Sequence, residues 1–168
     1  MNIPDKFVQY LVEFHAKRDY FECHELLEEF WKESGDDEFS ELWVGFIQVA
    51  VGQYHDRRGN KRGARLMYES AVHKLLKYIP EQFGVSITSI IQQINNRLKD
   101  MDLAYTDFQF EFNDIELERH CKQLAESQGL QWGISSSNVS DYIVHRHIRR
   151  NRTDVIQARK DALDRKMQ

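Results

Sequence analysis

Two cysteines and two prolines among 168 residues exclude several architectures at once. Cys23 and Cys121 stand far apart with no Cys-x-x-Cys spacing, so the pattern supports neither a disulfide framework nor a cysteine metal site. No apolar run approaches the roughly 20 residues that a bilayer-spanning helix needs. The opening MNIPDKFVQYLVEFH carries acids inside its apolar stretch, where a signal peptide would keep an uninterrupted core. A cytoplasmic protein without a membrane role is therefore expected. Repeats at solenoid periods and long low-complexity tracts are also missing.

Charge of one sign is missing too. The net charge of −4 hides an alternation: residues 1–56 carry 4 basic and 13 acidic side chains, 57–80 carry 7 and 1, 81–144 carry 4 and 10, and 145–168 carry 8 and 3. Such alternation disfavours a single nucleic-acid face without excluding one, and it leaves two cationic patches for an acidic protein partner or for self-association.

What is present is helical pattern. With 41% hydrophobic residues the chain can bury a genuine core. Pro4 followed by Phe7, Leu11 and Phe14 marks a helix over 4–16, and Asp19 is an N-cap for a second over 20–33. A third spans 38–58. Gly59 suits a left-handed cap and Asn60 caps the next helix, so helices three and four form a tight hairpin that Pro80 closes. Further helices are predicted over 87–100, 114–128 and 139–165. The intervening Tyr105, Phe108, Phe110 and Phe112 alternate with polar residues, which reads as extended chain on the surface or a short strand with no evident partner. The class is all-α: a compact bundle with a central helix-turn-helix hairpin and additional C-terminal helices.

Chemistry has few places to sit. On a helical wheel His24 and Glu28 fall between Trp31 and Phe21, inside the apolar arc of helix two. Helix three is apolar around nearly its whole circumference and must be central. Gly45 and Gly52 lie on one line where a backbone can approach, and Gln48 and His55 lie on another. Buried polar groups need partners, so His24, Glu28, Gln48 and His55 are expected to meet across the two helices. Imidazoles with a carboxylate can lock a core, perform acid–base chemistry or hold a divalent metal, and the spacing does not decide among these. There is no His-Glu-x-x-His and no Glu-x-x-His of di-iron bundles. The turn HDRRGNKRGA clusters Arg57, Arg58, Lys61 and Arg62 beside a capped helix start, where phosphate could bind; solvated residues at a helix corner, with Gly63 permitting close packing, are the plainer reading. In the last predicted helix Arg146, Arg149, Arg150 and Arg152 are expected to stay exposed as a partner surface while Tyr142 and Ile143 pack. His15, at the end of helix one, suits a C-terminal dipole partner.

The segments DYFECHELLEEFW and GFIQVAVGQYHDRRGNKRGA resemble the bacterial and archaeal domain-of-unknown-function 309 family over about residues 7–80. The resemblance implies a compact helical bundle, and its His-Glu, Trp, Gln, His and Gly-Asn features coincide with His24, Glu25, Glu28, Trp31, Gln48, His55, Gly59 and Asn60. It implies no activity. Residues 1–80 are thus expected to form the bundle domain, with 81–168 a helical extension packed on it. The leading functional expectation is a non-enzymatic interaction or regulatory module with a structural His/Glu/Gln network. The alternative is a small metal-dependent or acid–base enzyme using His24, Glu28 and His55.

Overall fold

The computed structural model describes residues 2–146, 157 and 159–167. Helix α1 (Asp5–Val12) starts after extended Pro4 and continues as a wider π turn over Glu13–Lys17 until Arg18, whose φ of 50° ends it. Asp19 then accepts the Glu22 N–H and starts α2 (Tyr20–Ser34). Helix α3 (Ser40–Arg57) is central, buried on almost every side and packed between α2 and α4 (Lys61–Leu75). Gly59 has φ +83° and Asn60 accepts the Gly63 N–H at 3.0 Å, the hairpin expected from the sequence. The chain then forms a short antiparallel hairpin, β1 (Glu81–Gln82) with β2 (Val85–Ser86), before α5 (Ile87–Lys99), α6 (Ile115–Ser127) and the short α7 (Asp141–Val144). Among the described residues the fold is all-α apart from this hairpin. Among the described residues no helix is long and apolar enough to cross a membrane. Cys23 and Cys121 are free thiols, both buried.

The close approach inferred for helix three is real. A Cβ on Gly52 would lie 2.5 Å from the Tyr68 ring, and one on Gly45 would lie 2.9 Å from Leu75, both on α4. Gly52→Ala must push the Tyr68 ring out of its hydrogen bonds, so it is expected to lower stability by about 1–3 kcal/mol despite alanine's better helix propensity. Urea unfolding measures this, and a stabilised variant would show that the two helices separate freely.

The aromatic segment after α5 is not on the surface. Phe108 and Phe110 are only 3% exposed, and Phe110 meets Phe14 and Phe46 at ring-centroid distances of 4.9 and 5.6 Å. It also has a partner, because Phe112 bridges Val85 of β2 and Ser86 N–H donates to Glu111 O. Buried extended chain must satisfy its backbone. Here side chains do so: Gln53 Oε1 accepts the Phe108 N–H, Gln93 brackets Gln109 through both its amide atoms, and His15 Nε2 accepts the Phe110 N–H. His15 is therefore a buried core residue in the last helical turn, not a charged partner of the helix dipole. Its Nδ1–H donates to Leu11 O and its ring stacks on Trp132.

Candidate functional site

Two polar assemblies flank α3. The first is a buried network absent from the sequence reading. Asp56 receives two hydrogen bonds from Arg97, at 2.9 and 2.8 Å, and a third from the Tyr68 hydroxyl at 2.9 Å. Gln53 donates to that same hydroxyl, and its Oε1 accepts from Tyr20 and Tyr105 as well as from Phe108 N–H. Asp107 Oδ1 is the alternative acceptor for the Tyr20 and Tyr105 hydroxyls, each of which has one proton to share between it and Gln53 Oε1. Burial drives the Tyr20 and Tyr68 phenols well above their usual range, Asp107 and Asp56 respectively adding to it, so both remain hydroxyl donors. One signal was available: Gln53 and Asp56, like Gln48 and His55, are polar positions on a helix that is apolar around nearly its whole circumference.

The second assembly holds the residues singled out from the sequence. His24 Nε2 lies 2.7 Å from Glu28 within α2, while Glu25 stands 3.5 Å from its Nδ1. Their side chains are 28% and 32% exposed, so the expected burial of His24 and Glu28 is corrected: α2 buries Tyr20, Cys23, Leu26 and Leu27, and the pair sits at the margin of that face. Glu28 also accepts from Lys32 at 2.8 Å. The Lys32 hydrogen bond, with the nearby His24, holds the Glu28 carboxyl below its usual range against partial burial. Across the interface, His24 and His55 line one recess of ≈ 200 Å³, with Tyr20, Phe21, Val51 and Tyr54. His55 Nδ1 is 3.3 Å from the Asn60 amide. Gln48 Oε1 is buried with no hydrogen-bond partner among the described residues. Trp31 packs partly buried against the core. No group of three or more His, Cys, Asp or Glu among the described residues is placed to hold a metal ion, so His24, Glu28 and His55 are not a preformed ligand set.

The cationic clusters separate on folding. Arg57 turns inward to Arg18 O, Arg58 stacks on Tyr54, and Lys61 reaches Asp102. Arg146, expected to be exposed, is three-quarters buried: it pairs with Asp19, and with Glu22 at 3.2 Å, because the carboxylates opening α2 face it. Tyr142, expected to pack, is exposed. Arg149, Arg150 and Arg152 lie outside the described residues.

Fold and site together define a small helical-bundle protein with an aromatic recess between α2 and α3. The chain belongs to the family described as domain of unknown function (DUF309), whose profile matches residues 7–67. It is 37% identical over 169 residues to the uncharacterised protein YpuF of Bacillus subtilis (strain 168), a match covering 97% of this chain and 96% of that protein. The similarity therefore runs through the C-terminal half as well.

Proposed function

We propose that this is a cytoplasmic, non-enzymatic binding module that receives an aromatic or aliphatic side chain of a partner protein in the α2–α3 recess. The observation that carries the reading is the lining: Tyr20, Phe21, Tyr54 and Val51 form apolar walls to which His24 and His55 add polar edges. The ≈ 200 Å³ of space exceeds the roughly 150 Å³ known to hold one benzene ring. Aromatic walls with a few fixed polar groups are the usual make-up of an anchoring pocket. Phenol and indole titrated against the labelled protein are expected to shift the amides of Phe21, Val51 and Tyr54 saturably, and Val51→Arg is expected to abolish those shifts. Unsaturable shifts, or the same shifts in the variant, would reject the recess as the recognition element.

A second reading has one observation in its favour, the short His24–Glu28 contact beside a recess that also receives His55. Under acid–base chemistry Glu28 would orient His24 rather than give up a proton, because Lys32 and His24 hold it ionised. A turnover that His24→Gln removes while ligand binding survives would favour this reading over the module.

A further inference from the structure

We propose that the cavity walled by Arg18 and Arg57 is a binding site for a phosphate monoester. It occupies ≈ 560 Å³ between the end of α3, the extended segment around Asp107 and the turn at Ser135 to Ser137, within the roughly 300–1,000 Å³ typical of small-molecule sites. It is separate from the recess between α2 and α3.

Two guanidiniums at this cavity keep donors without acceptors among the described residues. Arg18 is only 1% exposed. Its Nε donates to Ile134 O and its Nη1 to Phe108 O and Phe14 O, while Nη2 bonds nothing among the described residues. Arg57 donates through Nη1 to Arg18 O and Ser136 Oγ, yet its Nε and Nη2 are buried with no partner among the described residues. Those two atoms form the side-on fork of the guanidinium, the edge that matches two oxygens of an oxyanion. The Tyr20 ring 4.5 Å away occupies a face of Arg57, not that edge. Unpaired buried charged donors are costly enough to point to a missing acceptor.

Asp107 does not supply it. Its Oδ1 accepts from Tyr20, Tyr105 and Ser136 Oγ and its Oδ2 from Ser136 N–H, and Oδ2 stays 4.0 Å from Arg18 Nε. Two guanidiniums against one carboxylate leave the cavity a net positive charge, which selects an anion. The unpaired donors come from two arginines, with the hydroxyls of Ser135 and Ser137 beside them. That is more than the two coplanar oxygens of a carboxylate serve well, and it suits the three free oxygens of a tetrahedral phosphate. The remaining volume takes the organic group. Because the fork is shut from solvent here, occupancy requires the Arg57 head group to turn toward the cavity.

The test uses the full chain at constant ionic strength, titrated with glycerol phosphate, inorganic phosphate and acetate, and read by calorimetry and phosphorus NMR. Glycerol phosphate is expected to bind saturably. Arg57→Lys keeps the charge but loses the fork, and is expected to weaken binding at least about tenfold. Ser137→Asp places a like charge at an exposed position whose hydroxyl, among the described residues, bonds only Ser135, so it is expected to weaken binding as much without moving the unfolding midpoint of the protein alone. This second variant decides the matter should Arg57→Lys fold poorly. Absence of saturable binding, affinity unchanged in Ser137→Asp, or equal binding of acetate would overturn the site or its ligand class. Binding of inorganic phosphate without glycerol phosphate would overturn the monoester.

Discussion

Asp56→Ala is expected to destabilise the protein by roughly 3–5 kcal/mol, because it leaves the Arg97 guanidinium buried without its counter-charge and removes the acceptor of the Tyr68 hydroxyl. The pair is almost fully excluded from water, so the cost arises from an uncompensated charge rather than from a lost surface contact. Arg97→Met should cost a similar amount by exposing the opposite charge to the same apolar surroundings. The double variant Asp56→Ala/Arg97→Met should cost clearly less than the sum, since no buried charge then remains. Recovery will be incomplete: Arg97 Nη1 also donates to Leu103 O at 2.7 Å, and that carbonyl would lose its donor. Urea unfolding of all four proteins closes the cycle. Strictly additive losses, or a loss below about 1 kcal/mol for Asp56→Ala, would show that the pair is well solvated.

Acid should unfold this protein partly through one histidine. Burial lowers the pKa of His15 from 6.5 to about 3, Arg18 adding in the same direction and the bond to Leu11 O opposing it. Between those two values the unfolded chain binds a proton that the folded chain excludes, so stability falls as pH falls through that window. The full contribution is up to roughly 5 kcal/mol, of which about 2 kcal/mol should be lost between pH 7 and pH 5. His15→Gln can still donate to Leu11 O and accept the Phe110 N–H, yet it cannot titrate there. It is expected to start less stable and to lose about 2 kcal/mol less than wild type over the same interval, the carboxylates contributing equally to both. Parallel stability–pH curves for the two proteins would mean that His15 is protonated without unfolding.

The Asp56 network and His15 hold the extended aromatic segment against α3, and that segment carries Asp107 to the cavity of Arg18 and Arg57. The α2–α3 recess lies on the other side of Tyr20, whose ring lines it while its hydroxyl joins the buried network. Val51→Arg and Arg57→Lys therefore address separate surfaces.

Local signals in the sequence sufficed for helices α1 to α6, while the single helix expected over 139–165 is broken after Val144. Asp19 and Asn60 cap α2 and α4, Gly59 turns the hairpin, and the apolar circumference of α3 makes it central, because each of these acts within one or two turns of chain. Gly45 and Gly52 likewise announced the close approach of α4, although not which rings would meet them. Tertiary structure alone decided which polar side chains come together. Asp56 meets Arg97 across 41 positions, His15 meets Phe110 across 95, and Arg18 meets Ile134 across 116. No helical or strand period relates such positions. The same distinction explains His24 and Glu28: periodicity places them on the apolar arc of α2, but the neighbours of α2 cover only part of that arc and leave about a third of each side chain exposed. It explains the Phe108 and Phe110 segment as well, since an extended strand can be buried only where His15, Gln53 and Gln93 arrive from other elements to satisfy its backbone.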